Sequence, residues 1–321
     1  MLKEINKLSS REAMHLPAHY QSSILENVQE HLNTLKCQSI DELMEIIASQ
    51  TASLHARYAA ATLLSFLGDP RIDPNNPAMI TIPGACIPIG STLEEIQLAY
   101  DTYQSLGVQL DWLLKENPKH LVTLSSFRIA KYPVTNYEYL VFLKETQHDD
   151  LPTAWQFGIY DFTKSNHPVY GIQPKSADNY AAWISEKTKR SFRLPTEYEW
   201  EYAAAGPNRN EFPWGNIFST EHANTLESSI YSTTPIGIYS QGQSYFGCYD
   251  MAGNVEEYVA SNYFTYPGGK DIRDDLSQPD NYRVARGGSF TRHADLARCR
   301  RRHGFYNKPI YTIGFRLAET L

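Results

Sequence analysis

The stretch FRLPTEYEWEYAAAG, residues 192–206, decides the fold prediction because it contains a strand end, a helix cap and a helix. The Leu-Pro step ends a short strand, since proline cannot donate to a sheet. Thr196 and Glu199 have the spacing of a capping box, which begins a helix. Trp200 and Ala204 lie four positions apart, on one face of that helix. We therefore predict a strand that turns into a helix with Trp200 buried beneath it.

A second stretch, RGGSF at residues 286–290, contains two consecutive glycines. Glycine allows backbone conformations and close approaches that are closed to other residues. Gly287 and Gly288 therefore predict a tight turn that presents Ser289. From the residues alone, a turn with a capping serine and the floor of an active site are both compatible with this stretch.

The character of the chain changes near residue 76. Residues 9–67 follow a helical apolar pattern that ends at Gly68 and Pro70. PNNP at residues 74–77 is a cluster of helix breakers. Beyond it, residues 79–91 alternate like strands, and further helices are expected within an insertion at 92–117, after a Thr135 or Asn136 cap, and over 177–187. We predict a helical lead-in domain, residues 1–76, and a second domain, residues 77–321.

The composition is that of an ordinary globular protein. Of 321 residues, 42% are hydrophobic and 20% are charged, which excludes disordered, collagen-like and coiled-coil chains. No apolar run reaches the ~18 residues of a membrane span, and no apolar signal segment opens the chain. The four cysteines are far apart and form no CxxC motif, which predicts reduced thiols. We expect a soluble cytoplasmic protein without a membrane partner.

Positive charge is concentrated near the C-terminal end. Residues 283–316 contain nine basic side chains and one acidic side chain, Asp295, although the whole chain carries a net charge of −7. A basic segment on an acidic body favours a small anionic molecule or peptide as partner over nucleic acid, which requires a basic domain. The alternative is that these arginines bind carboxylates and carbonyls within the fold.

Four blocks, in order, resemble the formylglycine-generating enzyme (sulfatase-modifying factor) family. They are FRIAKYPVTNYEYLVFL (127–143), FRLPTEYEWEYAAAG with FPWGN (192–216), GCYDMAGNVEEY (247–258), and RGGSF with IGFRLA (286–318). The resemblance covers roughly residues 79–321. It implies an α+β fold in which the second domain has the irregular C-type-lectin-like architecture, with two helices, small twisted sheets and much loop.

The third block predicts a calcium site. Asp250 and Glu257 offer carboxylates, and Gly253 and Val255 offer backbone carbonyls, which are the hard oxygen ligands that calcium prefers. The resemblance implies a structural calcium at these four positions. It also implies a second site that begins at Asn224, although the loop completing that site is shortened here. A turn with solvated acids is the alternative.

The catalytic cysteines that the resemblance implies are missing. Formylglycine formation uses two cysteines after the GGS turn, whose soft thiolates bind copper. In this chain both positions are lost, and His293 and Asp295 lie in their region. Cys299 falls elsewhere, where we expect a buried, inert thiol. We therefore expect neither formylglycine formation nor bound copper.

Our first functional hypothesis is an oxidoreductase-like scaffold that binds and oxidises a small anionic metabolite or peptide in a C-terminal cleft. Arginine binds carboxylates in a bidentate manner, and histidine acts as an acid or base. The catalytic candidates are Ser289, His293, Asp295 and His303. The ligand-binding candidates are Arg292, Arg298, Arg300, Arg301, Arg302 and Trp112.

Two alternatives come from other classes of protein. C-type-lectin folds also serve as recognition modules without catalysis, and the loop 291–312 would then be the variable binding surface. Sulfoxide synthases of this family hold Fe(II) with three histidines of a helical domain. His15 and His19, with His31 as third ligand, are the corresponding candidates here, although Pro17 interrupts their spacing.

Overall fold

Short helices and small sheets alternate along the chain in the computed structural model, which describes residues 7–272, 282–305 and 307–321. The helices are α1 (Ser10–Ala13), α2 (Val28–Leu35), α3 (Ile40–Ala48), α4 (Leu54–Leu67), α5 (Leu93–Tyr103), α6 (Leu110–Leu114), α7 (Asn136–Thr146), α8 (Pro174–Thr188) and α9 (Glu197–Ala205). The strands are β1 (Met79–Ile82), β2 (Ala85–Ile89), β3 (His120–Leu124), β4 (Phe127–Ala130), β5 (Phe192–Arg193), β6 (Glu256–Asn262), β7 (Arg283–Arg286), β8 (His303–Gly304), β9 (Ile313–Phe315) and β10 (Ala318–Thr320). The α+β class predicted from the sequence is confirmed.

The strands form three separate sheets among the described residues. The first has the order β1-β4-β10-β5, so that the last strand of the chain pairs with β4 and β5. The second contains β2 and β3. The third has the order β8-β7-β6-β9, in which only the β6–β9 pairing is parallel. This third sheet brings together the ends of strands that are far apart in sequence, and it carries the candidate site.

The capping box predicted for α9 is confirmed, and of the two caps predicted for α7 the structure has Thr135. Thr196 accepts a hydrogen bond from the backbone N–H of Glu199 at the start of α9, and the Glu199 carboxylate accepts from the backbone N–H of Thr196. Thr135 does the same with Glu138 at α7. Trp200 is fully buried, as the periodicity indicated. α8 starts before the predicted residue 177 because proline suits the first helical turn.

Residues 79–91, which alternate like strands in the sequence, form two strands that belong to different sheets. β1 pairs with β4, whereas β2 pairs with β3. The division falls at Gly84, where a Cβ atom would lie 2.7 Å from the carbonyl oxygen of Leu124. A larger residue would not fit there, since that separation is too short for a carbon–oxygen contact.

The N-terminal helices share a core with the rest of the chain. Leu43, Ile47 and Leu64 of α3 and α4 pack in one cluster with Ile230 and Ile238. The segment around Ile24, predicted to be helical, forms turns, and α1 has only four residues. The domain division after residue 76 stays a prediction. No helix in the described ranges combines the length and the apolar character that crossing a bilayer requires.

Candidate functional site

The GGS turn forms the base of the candidate site. Gly287 and Gly288 have φ values of +96° and +66°, and a Cβ atom on Gly288 would lie 2.8 Å from the backbone nitrogen of Ala297. The turn therefore requires glycine both for its conformation and for the close approach of the loop. Ser289 is fully buried, and its hydroxyl lies 2.9 Å from the Thr291 hydroxyl, which donates to the carbonyl of Ile310. In this arrangement Ser289 holds the loop in place.

Three of the predicted ligand-binding arginines are neutralised inside the protein. Arg298 donates to both carboxylate oxygens of Glu116 at 2.9 and 3.0 Å, and both residues are fully buried. Arg298 and Arg300 also share the carboxylate of Glu211. Arg302 binds both oxygens of Glu197 at 2.8 and 2.9 Å.

These contacts do not fit the prediction that Arg298, Arg300 and Arg302 bind a ligand. Each guanidinium is buried and already occupied by a carboxylate, so that a ligand anion would have to displace an internal partner. Breaking such a pair leaves an uncompensated buried charge, which is strongly unfavourable. The alternative interpretation, that arginines of this segment bind carboxylates within the fold, holds for these three.

Arg301 has weaker internal partners. It donates to the carbonyls of Trp112 and Arg302 at 3.1 and 2.8 Å, and its guanidinium lies over the Trp112 ring at 5.9 Å. Its Nε lies 3.7 Å from the Asp295 carboxylate and makes no hydrogen bond. Burial lowers the pKa of Arg301, and Asp295 opposes that shift. Trp112 and Asp295 therefore position Arg301.

Arg292 differs from its neighbours because its charge is not paired. The side chain is buried, yet the guanidinium makes no ion pair and no hydrogen bond with any described residue. It lies over the ring of Tyr311 at 5.3 Å. A buried guanidinium with no anion beside it is energetically costly unless something supplies that anion.

A histidine–glutamate pair contacts the same tyrosine ring. His303 is stacked on Tyr311 with ring centroids 5.2 Å apart, and its Nδ1 lies 2.6 Å from Oε2 of Glu256. The other oxygen of Glu256 is buried without a hydrogen-bond partner. Burial lowers the pKa of His303, although Glu256 acts in the opposite direction. With Nδ1 facing Glu256, Nε2 makes no hydrogen bond among the described residues and remains available as a proton acceptor.

The predicted calcium ligands are occupied by protein donors. Both oxygens of Glu257 accept hydrogen bonds from Arg316 at 2.6 Å, and Trp200 adds a third at 2.7 Å. Asp250 accepts from the backbone N–H of Gly237 and from Asn254. Burial raises the pKa of Asp250 to about 6. A guanidinium thus stands where the prediction placed a cation.

The hydrogen bond at Gly253 involves its backbone N–H and not the carbonyl that was predicted as a ligand. Gly253 bonds to the carbonyl of Gly287 at 2.7 Å and pairs with Asn224, so that this turn supports the GGS turn. Val255 is buried in the core, and the Asn224 side chain binds Ser228 and Ser232. Within residues 7–272, 282–305 and 307–321, no group of three or more His, Cys, Asp or Glu is placed to hold a metal ion. The calcium prediction, including the second site at Asn224, therefore stays a prediction.

The three histidines predicted to hold iron have different partners. His31 stacks on His55, and the carbonyl of His19 accepts a hydrogen bond from Arg11. His15 instead contacts His293, with Nδ1 of His15 3.2 Å from Nε2 of His293. These three histidines therefore form no metal-binding group among the described residues, and iron binding stays a prediction.

Two features were not found from the sequence. One is the contact between His15 and His293, which are 278 positions apart. The other is an open cleft of about 480 Å³ lined by Trp155, Tyr160 and Tyr170 among others. Tyr170 contacts Phe290 of the GGSF stretch edge to face at 6.0 Å, so this cleft opens beside the turn. No spacing in the sequence indicates either feature.

Cys248 and Cys299 are the buried cysteines among the described residues. Cys299 is fully buried in the core cluster that also contains Cys248, and neither forms a disulfide. Burial raises the pKa of both thiols well above the ordinary value. A thiol held protonated is a poor nucleophile and a poor metal ligand, in agreement with the prediction for Cys299.

Comparisons with known proteins agree with the sequence blocks. The family model described as "Sulfatase-modifying factor enzyme 1-like domain" matches residues 68–321.

A hercynine oxygenase of Mycolicibacterium thermoresistibile is 30% identical over 220 residues, which are 57% of this chain and 48% of that protein. An inactive C-alpha-formylglycine-generating enzyme 2 of Mus musculus is 27% identical over 286 residues, covering 73% of this chain and 82% of that protein. The solved structure of PvdO from Pseudomonas aeruginosa superimposes with a TM-score of 0.59 at 28% identity and covers 77% of this chain and 95% of that one. The chain spans about half the length of the hercynine oxygenases it matches.

Proposed function

Because this chain belongs to the sulfatase-modifying factor enzyme 1-like family, we propose that it is an oxygenase-like member that binds a small anionic molecule beside Arg292 and His303. The relatives named hercynine oxygenase support the oxygenase-like part of this proposal. The arrangement of side chains around Tyr311 supports the anionic substrate. Dioxygen would be the oxidant, as the names of those relatives indicate.

The observation that supports the proposal most directly is the buried guanidinium of Arg292, which has no hydrogen-bond or ion-pair partner in the part of the chain that the structure describes. A carboxylate or phosphate of a substrate would supply the missing anion through charge-assisted hydrogen bonds, which are stronger than neutral ones. The Nε of Arg301 also lacks a hydrogen bond, and burial lowers the pKa of this residue while the charge of Arg292 contributes in the same direction. Two incompletely satisfied arginines favour a bidentate anion over a neutral ligand.

The neighbouring His303 is suited to proton transfer. Glu256 faces Nδ1 and orients the imidazole, as a carboxylate does in enzymes that use histidine as a base. Nε2 would then accept a proton from a substrate held by Arg292. Asp295 acts one step away by positioning Arg301, and Ser289 holds the turn through Thr291.

Thermal unfolding with a panel of anions tests this proposal. Acetate, succinate, glutamate, histidine and inorganic phosphate would be compared, and at least one is expected to raise the Tm of the wild-type protein. Arg292→Met should abolish that increase. The Tm of the free variant should be equal or higher, because removing an unpaired buried charge relieves strain. Arg128→Met, a partly exposed arginine paired with Glu319, is the control and should keep the increase.

The outcomes distinguish a structural role of Arg292, a recognition module and an oxygenase. If Arg292→Met lowers the Tm of the free protein by several degrees, Arg292 has a structural role and the proposal is wrong. If the Tm increase depends on Arg292 but no binding anion supports oxygen uptake in an oxygen electrode, the recognition module is the better description. Oxygen uptake that Arg292→Met and His303→Gln abolish would support the oxygenase.

A further inference from the structure

A pair of histidines joins the N-terminal segment to the loop that follows the GGS turn. We propose that His15 and His293 bind one divalent first-row transition-metal ion of the zinc class, with Glu227 orienting His293. This site is distinct from the three-histidine iron site considered above. It also stands apart from the proposed anion site, because it uses neither Arg292 nor His303.

The distance between the ring nitrogens fits shared coordination. Nδ1 of His15 and Nε2 of His293 are 3.2 Å apart, and the ring centroids are 4.9 Å apart with the planes tilted by 45°. Two nitrogens bound to zinc at about 2.0–2.1 Å in tetrahedral geometry lie roughly 3.3 Å from each other. The two rings therefore already present one nitrogen each at the separation that a metal ion requires.

The carboxylate behind His293 is arranged like the outer partner of a metal-binding histidine. Oε1 of Glu227 lies 3.1 Å from Nδ1 of His293 and accepts a hydrogen bond from the backbone N–H of Ala294 at 2.9 Å. The Thr225 hydroxyl donates to its other oxygen at 2.7 Å. Metal-ligating histidines usually donate their second N–H to such a carboxylate, which fixes the ring orientation and makes the ligating nitrogen more basic.

The N-terminal segment is held against the protein by other contacts, so the metal would not have to order it. Ala13 is buried in a cluster with Ile310 and Tyr311, and Lys308 donates to the carbonyl of Leu8 at 2.9 Å. His15 follows α1 with a φ of +50° and is exposed. Water can therefore complete the coordination of an ion at this position.

Metal binding also depends on the protonation state of His15. The neutral imidazole is the form that binds metals. In the absence of metal the same two nitrogens share a proton in an ordinary hydrogen bond. The experiment must distinguish a metal ion bound by both histidines from a direct hydrogen bond between them.

Calorimetric titration of the full-length protein with Zn²⁺ at pH 7.5, together with the absorption spectrum of the Co²⁺ complex, provides the test. We expect one ion per chain. His15→Ala and His293→Ala should each weaken binding at least tenfold, and Glu227→Gln should weaken it by about 10–100-fold. His19→Ala, which changes an exposed histidine of the same segment, is the matched control and should bind like the wild type. Affinity should fall as the pH decreases, because protons compete with the metal ion for the imidazole nitrogens.

A hydrogen-bonded pair without a metal would give a different pattern. Equal Zn²⁺ affinity in the wild type and in His15→Ala would overturn the proposal, and so would an equal loss in His19→Ala. Because His15 is exposed, we expect His15→Ala to fold like the wild type. A loss of Zn²⁺ binding in this variant would therefore not result from unfolding. Arg292→Met should leave Zn²⁺ binding unchanged, so that a failure here and a failure of the anion site can be told apart.

Discussion

Arginines of a single short segment have opposite roles in this protein, and the difference lies in what neutralises each charge. Arg298 and Arg302 are closed into bidentate pairs with Glu116 and Glu197. Arg292 has no such partner within residues 7–272, 282–305 and 307–321, and it lies over Tyr311. The partners of the first two lie more than 100 positions earlier in the chain. Neighbouring residues of one type therefore cannot be assigned one role from their spacing.

Removal of one buried arginine should be costly. Arg298→Met leaves Glu116 fully buried without its bidentate partner, and breaking such a pair costs about 3–5 kcal/mol. We expect the free energy of unfolding in urea to fall by that amount. Arg128→Met, which removes a more exposed pair with Glu319, should cost less than about 1 kcal/mol. Equal costs for the two variants would contradict the view that Arg298 belongs to the core.

At the scale of single elements, the capping boxes show how burial changes the behaviour of one motif. The box of α3, Ser39 with Glu42, is exposed, and hydrogen bonds from Ser39 lower the pKa of Glu42. The box of α7, Thr135 with Glu138, is buried. There burial raises the pKa of Glu138 to about 7, although the hydrogen bonds from Thr135 act in the other direction.

The α7 box should make stability depend on pH. Between pH 4.5 and about 7 the unfolded chain releases the Glu138 proton while the folded chain keeps it, so stability falls as the pH rises through this range. The full loss is on the order of 3 kcal/mol. Glu138→Gln keeps the cap but removes the charge, and urea unfolding at pH 5 and pH 8 should show a smaller difference than in the wild type.

The exposed box is the control for that experiment. Because the pKa of Glu42 is lowered, its stabilisation is present above pH 4.5 and is lost as the pH falls below that value. Glu42→Gln should therefore leave the stability difference between pH 5 and pH 8 nearly unchanged. A similar change in both variants would show that the burial of Glu138 is not the cause.

At the scale of the whole molecule, the helical lead-in is part of the structure that supports the site. α3 and α4 share a core with Ile230 and Ile238, and Asn166 donates to the carbonyl of Ala61 at 2.8 Å. Arg57 of α4 bonds to the Ser240 hydroxyl at 2.7 Å. The N-terminal segment, through Ala13, packs on Tyr311 beside Arg292. Residues before the family domain thus contact the regions on which the candidate site depends.

A core mutation in the lead-in should therefore lower the free energy of unfolding of the whole chain. Leu64→Ala removes a fully buried side chain and should cost about 2–5 kcal/mol. All five tryptophans lie between residues 112 and 214, outside the lead-in. If the chain unfolds as one unit, tryptophan fluorescence and far-UV circular dichroism should shift to the same lower urea midpoint. A fluorescence midpoint equal to that of the wild type would show that the helices unfold separately.

The sequence by itself determined the family, the α+β class and the capped helices, because these depend on patterns within a few residues. Thr196 with Glu199, the paired glycines before Ser289, and the loss of the cysteine pair could all be recognised locally. Only the tertiary structure decided which charged groups were paired and which were left over. It paired Glu257 with Arg316 where calcium was predicted, gave the three histidines different partners, and brought His15 to His293. Ion pairs and metal sites depend on distances of a few ångströms between residues hundreds of positions apart, and those distances are set by the packing of the whole chain.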